Sequence, residues 1–426
     1  MLRLPSSPFL FCLTLIAVLL AAANGQAQTY TVLHRFTGGQ DGGQPNDGLS
    51  IDQGGNLYGS TSVGGSTLGE CAGYGGCGVV FEFKRHSSGW LFNPLYSFTG
   101  SPDGRYPVGR VVFGPDGALY GTTEYGGIGC GTVFKVAPRP TVAKSVLTPW
   151  MESILYTLPG NGDGCAPLDS GGLALAGNKI YGTTYWDSQN GGGFGTVFQL
   201  THSGNDWTPS VIYKFSYYSD GSAPSAGVTV DPAGNLYGTT DIGGCDNDCQ
   251  GTVYELTQSQ SGWTEHTVYG FVYDQSPGNE PGGGVVLDGA GNLYGSTVSG
   301  GMELGGTIFQ LAPANGGWNF NLLYSFPGGL TLGPFSDLLL DNSGNLYGTT
   351  YSDGLYGHGS VFELTRSGDS WTYATLYDFQ GAGDGGNPKS NLVMDAQGNL
   401  YGTTYAGGNY GTCGGHGCGL VFEITP

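Results

Sequence analysis

Charged side chains are scarce in this sequence, and basic side chains are the scarcest. Asp, Glu, Lys and Arg make up 11% of the 426 residues, and 13 Lys and Arg stand against 33 Asp and Glu, a formal net charge of −20. Proteins bind nucleic acids and anionic membranes largely through basic side chains. The charge balance therefore argues against nucleic acid and anionic lipid as partners.

Several other signals are missing after residue 27. The apolar residues show no helical period, and no second long apolar run follows the N-terminal one, so we expect neither helical layers nor a membrane span in the mature chain. The chain also lacks a nucleophile elbow, a P-loop and a His-Glu-x-x-His motif. No catalytic residue is predicted from such motifs.

The N-terminal segment has the pattern of an export signal. It begins Met-Leu-Arg, continues with an apolar run over residues 9–23 and ends in small residues before Gln28. This order is typical of a secretory signal peptide. We predict a signal peptide over residues 1–27, a single domain over residues 28–426, and a secreted or periplasmic protein.

Cysteine usage agrees with export. Apart from Cys12 there are eight cysteines, an even number, and tight Cys-x-x-Cys zinc motifs are lacking. We predict disulfides, as expected in an oxidising compartment, with metal binding as the alternative. Three pairs are local and the fourth joins the two remaining cysteines: Cys71 with Cys77, Cys245 with Cys249, Cys413 with Cys418, and Cys130 with Cys165.

What the chain has in abundance is glycine, at 83 positions, in a recurring signature. Gly-Asn-Leu-Tyr-Gly-Thr-Thr, with small changes, occurs seven times, and successive signature tyrosines are 62, 61, 56, 57, 53 and 54 residues apart. Such a recurrence indicates a repeat architecture. The signature tyrosines are Tyr58, Tyr120, Tyr181, Tyr237, Tyr294, Tyr347 and Tyr401.

Each repeat reads as four short β-strands, here called A to D, with the signature on strand B. Strand C of the second repeat, residues 131–136, carries bulky side chains on both faces, which indicates a sheet covered on both sides. Radially arranged four-stranded sheets meet that requirement. Residues 29–36 resemble strand D, which the last repeat lacks, so we predict an all-β, seven-bladed β-propeller closed by the N-terminal strand.

The Leu-Tyr-Gly-Thr-Thr signature, the Gly-Gly that follows it and Gly-Thr-Val-Phe-Glu-Leu resemble the GloVer tandem repeat of exported bacterial proteins, a relative of the NHL-type propeller repeat. The resemblance implies export and repetition. It supplies neither a catalytic residue nor a substrate.

Candidate functional residues are those that differ between repeats. The D-to-A and B-to-C loops open on one face of a propeller and vary most, so we place the functional face there. Exposed tyrosines in the B-to-C loops suit a glycan or a peptide. The candidate binding residues are Arg105, Glu124, Trp186, Asp187, Asp241, Asp353, His358, Lys389 and His416.

Repeated aspartates on this face have two interpretations. Asp in the recurring Asp-Gly-x-x-Pro motif, as at residues 103–107 and 220–224, caps its own turn. A ring of carboxylates could instead bind Ca²⁺, although the Asp-x-Asp-x-Asp-Gly spacing is lacking. No cofactor is predicted, and Ca²⁺ is the alternative.

We predict a non-catalytic binding or scaffold protein outside the cytoplasm, with a glycan or a protein as ligand. The alternative is a carbohydrate-active enzyme, either a polysaccharide lyase or a hydrolase, or a metal-dependent lactonase-like hydrolase with its site on the central axis. Convergence of His358, His416 and acidic side chains in the central pocket would favour an enzyme.

Overall fold

The computed structural model describes residues 28–46, 48–127, 129–139, 150–167, 172–188, 193–244, 249–272, 277–328, 333–368, 370–410 and 413–426. The predicted signal peptide and Cys245 lie outside these residues. Seven antiparallel sheets follow one another along the chain, each centred on one copy of the signature. The predicted seven-bladed propeller is confirmed.

Each blade contains strands A, B, C and D in spatial order. Blades one to four comprise Leu49–Ile51, Leu57–Thr61, Val79–His86 and Gly89–Ser97; Arg105–Phe113, Leu119–Tyr125, Thr132–Pro138 and Trp150–Thr157; Ala174–Ala176, Lys179–Thr184, Thr196–Ser203 and Asp206–Lys214; Thr229–Val230, Leu236–Thr240, Cys249–Ser259 and Gly262–Val272. Blades five to seven comprise Val286–Leu287, Leu293–Ser299, Thr307–Ala314 and Gly317–Ser325; Leu339–Leu340, Leu346–Thr350, Ser360–Ser367 and Ser370–Asp378; Val393–Met394, Leu400–Thr404, Leu420–Thr425 and Thr29–Arg35.

A few short elements lie outside this pattern. Asn161–Cys165 pairs with Trp186–Ser188, and Asn279–Pro281 extends the sheet of blade five. Among the described residues, helical structure is confined to the 3₁₀ segments Gly69–Gly73 and Gly414–His416. No helix in this part of the chain is long and apolar enough to span a membrane.

The N-terminal strand closes the ring, as predicted. Thr29–Arg35 pairs antiparallel with strand C of blade seven, with Thr29 opposite Thr425 and Arg35 opposite Leu420. The outer edge of blade seven is therefore covered by the start of the chain.

The turn from strand A to strand B leads directly into the signature. Asp395 Oδ1 accepts hydrogen bonds from the backbone N–H groups of Gln397 and Asn399, and its Oδ2 accepts from Asn399 Nδ2 and the Tyr401 hydroxyl at 2.8 and 3.0 Å. Side-chain oxygens of Asp commonly satisfy a turn in this way. Four other blades repeat the backbone and asparagine bonds, on Asp52, Asp231, Asp288 and Asp341.

Glycine after the signature tyrosine makes room for an aromatic ring. A Cβ at Gly348 would lie 2.6 Å from Phe362 Cζ of strand C. The equivalent glycine meets an aromatic ring of strand C in every blade. This close approach explains a glycine within a strand, where it otherwise weakens pairing.

The signature threonines connect neighbouring blades. Thr239 Oγ1 of blade four donates to the carbonyl oxygen of Gly283 in blade five at 2.9 Å, and Thr403 of blade seven donates to Pro45 across the ring closure at 3.4 Å. The core is divided in the same way, because each buried apolar cluster combines side chains of two adjacent blades. The signature therefore builds the frame of the ring.

Candidate functional site: the loop face

The D-to-A and B-to-C loops meet on one face, which we call the loop face. Backbone bridges join them at Gly43 with Val63, Ser222 with Ile242, and Gly386 with Ala406. Two of the predicted disulfides, Cys71–Cys77 and Cys413–Cys418, each tie a single B-to-C loop. This face is therefore held together by covalent and backbone links.

The Cys130–Cys165 disulfide links blade two to the loop entering blade three, with Cα atoms 4.6 Å apart. This inter-blade pairing is confirmed. Cys249 is also disulfide-bonded, whereas its predicted partner Cys245 lies outside the described residues.

An unusual backbone conformation orders the start of strand A. The residue before the proline at the end of the D-to-A loop has a positive φ in six blades: 53° at Gln44, 53° at Tyr106, 50° at Ala166, 57° at Ala223, 58° at Glu280 and 52° at Asn387. Side chains other than glycine rarely adopt this conformation, which costs about 1–2 kcal/mol. The backbone N–H of this residue donates a hydrogen bond to the B-to-C loop of the preceding blade. In the loop entering blade seven, Asn387 N–H donates to the carbonyl oxygen of His358 at 2.7 Å.

The repeated aspartates of this face cap their own loops. Asp103 accepts hydrogen bonds from the Tyr96 hydroxyl at 2.6 Å and from the Thr99 backbone N–H. Asp220 and Asp384 likewise accept from the strand-D tyrosine seven residues earlier. Within the described ranges, no group of three His, Cys, Asp or Glu is arranged to hold a metal ion. The geometry therefore favours turn capping for these aspartates.

Arg105 lies among three tyrosines at the junction of blades one and two. Its guanidinium carbon is 4.0 Å from the ring centroid of Tyr74 and 5.0 Å from that of Tyr125, and Tyr106 makes edge contacts with both rings. We call Tyr74, Arg105, Tyr106 and Tyr125 the Arg105 cluster. Arg105 Nε is buried without a hydrogen-bond acceptor among the described residues.

Glu124, the next predicted residue, adjoins this cluster. The Tyr125 hydroxyl donates a hydrogen bond to the Glu124 carboxylate. This bond, followed by burial and by the negative charge of Glu124, raises the pKa of Tyr125 to about 12. Tyr125 therefore stays protonated at neutral pH.

Lys389 lies between two tyrosines at the junction of blades six and seven. Its Nζ is 5.4 Å from the ring centroid of Tyr351 and 4.9 Å from that of Tyr405, and the Tyr405 ring contacts exposed His416 with centroids 6.3 Å apart. We call Tyr351, Lys389, Tyr405 and His416 the Lys389 cluster. Tyr351 and Tyr405 are equivalent in the repeat, four residues after their signature tyrosines.

Two carboxylates on the same face, Asp241 of blade four and Glu280 of blade five, form what we call the acidic cluster. Burial, followed by the charge of Glu280, raises the pKa of Asp241 to about 6. Tyr185 donates to Asp241 Oδ2 at 3.5 Å. Lys389 and Arg105 thus lie at the junctions of blades six with seven and one with two, whereas the neighbouring carboxylates Asp241 and Glu280 lie at blades four and five.

The remaining predicted residues have local roles. Trp186 pairs with Cys165 and packs on Tyr185, and Asp187 lies against Gly193. The Asp353 carbonyl oxygen accepts the Gly359 N–H at 2.9 Å, while burial raises the pKa of its carboxyl group. The His358 ring packs against Gly381. His358 and His416 therefore pack against different neighbours.

Sequence reasoning missed part of the exposed apolar surface. Eleven of the 15 large apolar side chains that are exposed among the described residues lie on loop-face segments. They are Leu68, Tyr74, Tyr125, Phe194, Tyr217, Tyr218, Met302, Leu304, Leu355, Tyr356 and Tyr410.

Arg110 and Asp337 were also missed. Both line a cavity of about 350 Å³ in the central channel. Each lies ten residues before the signature tyrosine of its own blade. The equivalent residue in blades one, four and five is glycine. Alignment of the repeats on that tyrosine would have singled them out.

Comparisons with known proteins were made by sequence and by structure. No curated protein matches the chain. An ancestral GH74 enzyme is similar in structure, with 14% sequence identity, a TM-score of 0.55, and an alignment that covers 90% of this chain and 47% of that chain. A PL25 ulvan lyase bound to -[GlcA(1-4)Rha3S]- has 12% identity and a TM-score of 0.53, over 92% of this chain and 95% of that chain. A protein of unknown function from Dyadobacter fermentans has 12% identity and a TM-score of 0.48, over 94% of this chain and 98% of that chain. At these identities, the first two support the fold alone.

The repeat match is more specific and extends along the chain. The Gloeobacter/Verrucomicrobia repeat matches residues 19–151, 145–339 and 250–426. These ranges include all seven signatures. The chain belongs to the Gloeobacter/Verrucomicrobia repeat family.

Proposed function

We propose that this protein binds an acidic glycan on its loop face, outside the cytoplasm. The observation that carries the proposal is the pair of cations held between tyrosine rings, Lys389 and Arg105. Neither forms an ion pair with a carboxylate in the part of the chain that the structure describes, although acidic residues outnumber basic ones by 33 to 13.

A tyrosine ring and a cation side by side match the two parts of an acidic sugar. The apolar face of a pyranose ring packs on an aromatic side chain, and its carboxylate or sulfate bonds with Lys or Arg. The carboxylates of the acidic cluster repel the same ligand. We therefore propose that the glycan lies over blades six, seven, one and two.

The extracytoplasmic location is part of the proposal. Three described disulfides require an oxidising compartment to persist. Acidic polysaccharides are extracellular polymers, so ligand and location agree.

The test is a binding comparison between two glycans that differ only in charge. Mature protein is titrated with an oligogalacturonate and with its fully methyl-esterified form, and binding is followed by calorimetry. We expect the acid form to bind and Lys389→Gln or Arg105→Gln to weaken it about tenfold, since a charge-assisted hydrogen bond contributes about 1.5–3 kcal/mol.

The matched control is Arg366→Gln. Arg366 also lies over an aromatic ring, that of Trp371 at 5.8 Å, but at the C-to-D turn of blade six on the opposite face. Equal binding of both glycans, or equal loss in all three variants, would reject the loop-face site.

A polysaccharide lyase is the second candidate. The Arg105 cluster combines an arginine with tyrosines, groups that an elimination reaction uses, and the ulvan lyase of similar fold binds a glucuronate-containing glycan. The raised pKa of Tyr125 disfavours its phenolate as a base. The same titrations, monitored by ultraviolet absorbance for an unsaturated product, distinguish turnover from binding.

A further inference from the structure

The central channel contains a second polar site, separate from the loop face. Its cavity, about 350 Å³, extends along strand A of blades two to six toward the A-to-B turns. Ligand cavities commonly begin at about 300 Å³. Val112, Phe113 and Val228 supply apolar wall, and the charged groups in the lining are Arg110 and Asp337.

Arg110 has no partner for its charge among the described residues. Its Nε is fully buried without an acceptor, and the guanidinium takes part in none of the four described salt bridges. Arginine remains charged at all physiological pH values. A half-buried guanidinium without a carboxylate partner attracts an anion that enters the channel.

Asp337 supplies a fixed acceptor in the same cavity. Its Oδ1 accepts the backbone N–H of Gly284 at 2.7 Å. That bond orients the carboxylate and leaves Oδ2 for a ligand hydroxyl. At the equivalent position, blades four and five have Gly227 and Gly284 in the cavity lining, so no bulky side chain fills the space there.

An anion without hydroxyl groups would fit only half of this lining. Sulfate or acetate could bond with Arg110, but neither would donate a hydrogen bond to the Asp337 carboxylate. A neutral sugar could donate to Asp337 but would leave Arg110 unpaired. The lining selects for a molecule that carries both a carboxylate and hydroxyl groups.

We propose that the channel binds a small hydroxy acid of the hexuronate class, with its carboxylate on Arg110 and a hydroxyl donating to Asp337. This site differs from the loop-face site in its residues and its face, and it does not depend on glycan binding there.

The experiment titrates the mature protein with glucuronate, glucose and sulfate by calorimetry. We expect glucuronate to bind with one site per chain and glucose to bind much more weakly. Arg110→Gln should weaken glucuronate binding about tenfold or more. Asp337→Asn should raise the affinity for sulfate relative to that for glucuronate, because both anions escape the negative charge but only glucuronate loses its hydroxyl contact with the carboxylate.

One control separates the loss of the Arg110 side chain from the loss of a positive charge alone. Arg366→Gln removes one positive charge at an external turn and should leave glucuronate binding unchanged. If Arg110→Gln fails to fold, the ratio of sulfate affinity to glucuronate affinity in Asp337→Asn, compared with wild type, decides. Unaltered binding in both channel variants, an equal loss in Arg366→Gln, or no saturable glucuronate binding would overturn the proposal.

Discussion

Trp90 of blade one lies edge-on against the signature tyrosine of blade seven, Tyr401, with ring centroids 5.6 Å apart and an interplanar angle of 71°. The same contact recurs around the ring, where a strand-D tryptophan meets the signature tyrosine of the preceding blade. The other pairs are Trp207 with Tyr120, Trp263 with Tyr181, Trp318 with Tyr237 and Trp371 with Tyr294, at 6.1–6.3 Å.

Replacement of Trp90 by alanine should destabilise the ring closure. The ring is partly exposed, so we expect a loss of about 2–3 kcal/mol, below the value for a fully buried aromatic side chain. Trp371→Ala at a junction away from the closure is the matched variant and should lose a similar amount. Urea unfolding measures both, and a Trp90→Ala protein as stable as wild type would contradict this role.

Alanine in place of Gly348 should disturb the packing of blade six. The new Cβ would lie 2.6 Å from Phe362 Cζ and 3.1 Å from Leu338 Cδ2, and overpacking of this kind costs about 1–3 kcal/mol. Gly289→Ala is the control, because a Cβ there meets no atom within 4 Å. The melting temperature should fall in the first variant only; equal melting temperatures would refute the steric explanation.

The Cys130–Cys165 disulfide should stabilise the fold more than the local disulfides do. It closes a loop of 35 residues, whereas Cys71–Cys77 spans 6. Loop-closure entropy predicts losses of about 4 and about 2 kcal/mol for the paired serine variants. Guanidinium unfolding of the two double mutants tests this order, and a reversed order would show that native-state strain outweighs loop entropy.

Glu152 should make stability depend on pH. Burial, followed by the charge of Asp103, raises its pKa from 4.5 to about 7, and its Oε1 lacks a hydrogen-bond partner among the described residues. The folded protein therefore holds a proton between these pH values that the unfolded chain releases, so stability falls as pH rises through this window.

Thermal unfolding of Glu152→Gln across the same pH range tests this prediction. In Glu152→Gln, stability should fall less as the pH rises through this window. Asp206→Asn, at an exposed turn, should show the same fall in stability as wild type. Identical profiles for wild type and Glu152→Gln would exclude Glu152 as the origin.

The sequence predicted the frame because the frame is repeated. Each signature residue has the same local partners in most blades, as with Asp395, Asn399 and Tyr401, so spacing alone indicates blade number and register. The Cys130–Cys165 link followed from the same register. The paired strands Asn161–Cys165 and Trp186–Ser188 were not predicted, although the equivalent pairing recurs in blade two, Arg105 with Tyr125, and in blade five, Asn279 with Ser299.

The candidate site could be predicted only as a set of positions. Arg105, Glu124, Lys389 and His416 were chosen because they vary, but their grouping with tyrosines depends on how neighbouring loops approach across blade junctions. His358 was chosen for the same reason and packs against Gly381 instead. Arg110 and Asp337 could have been identified only by aligning strand A of the seven repeats residue by residue.

The central claim is that cations held between tyrosines on the loop face bind an acidic glycan. The most direct measurement is the affinity of the Lys389→Gln/Arg105→Gln double variant for oligogalacturonate, relative to wild type and Arg366→Gln. We predict a loss of about a hundredfold in the double variant, from two charge-assisted contacts, and wild-type affinity in the control. Equal affinity of all three proteins would contradict the claim.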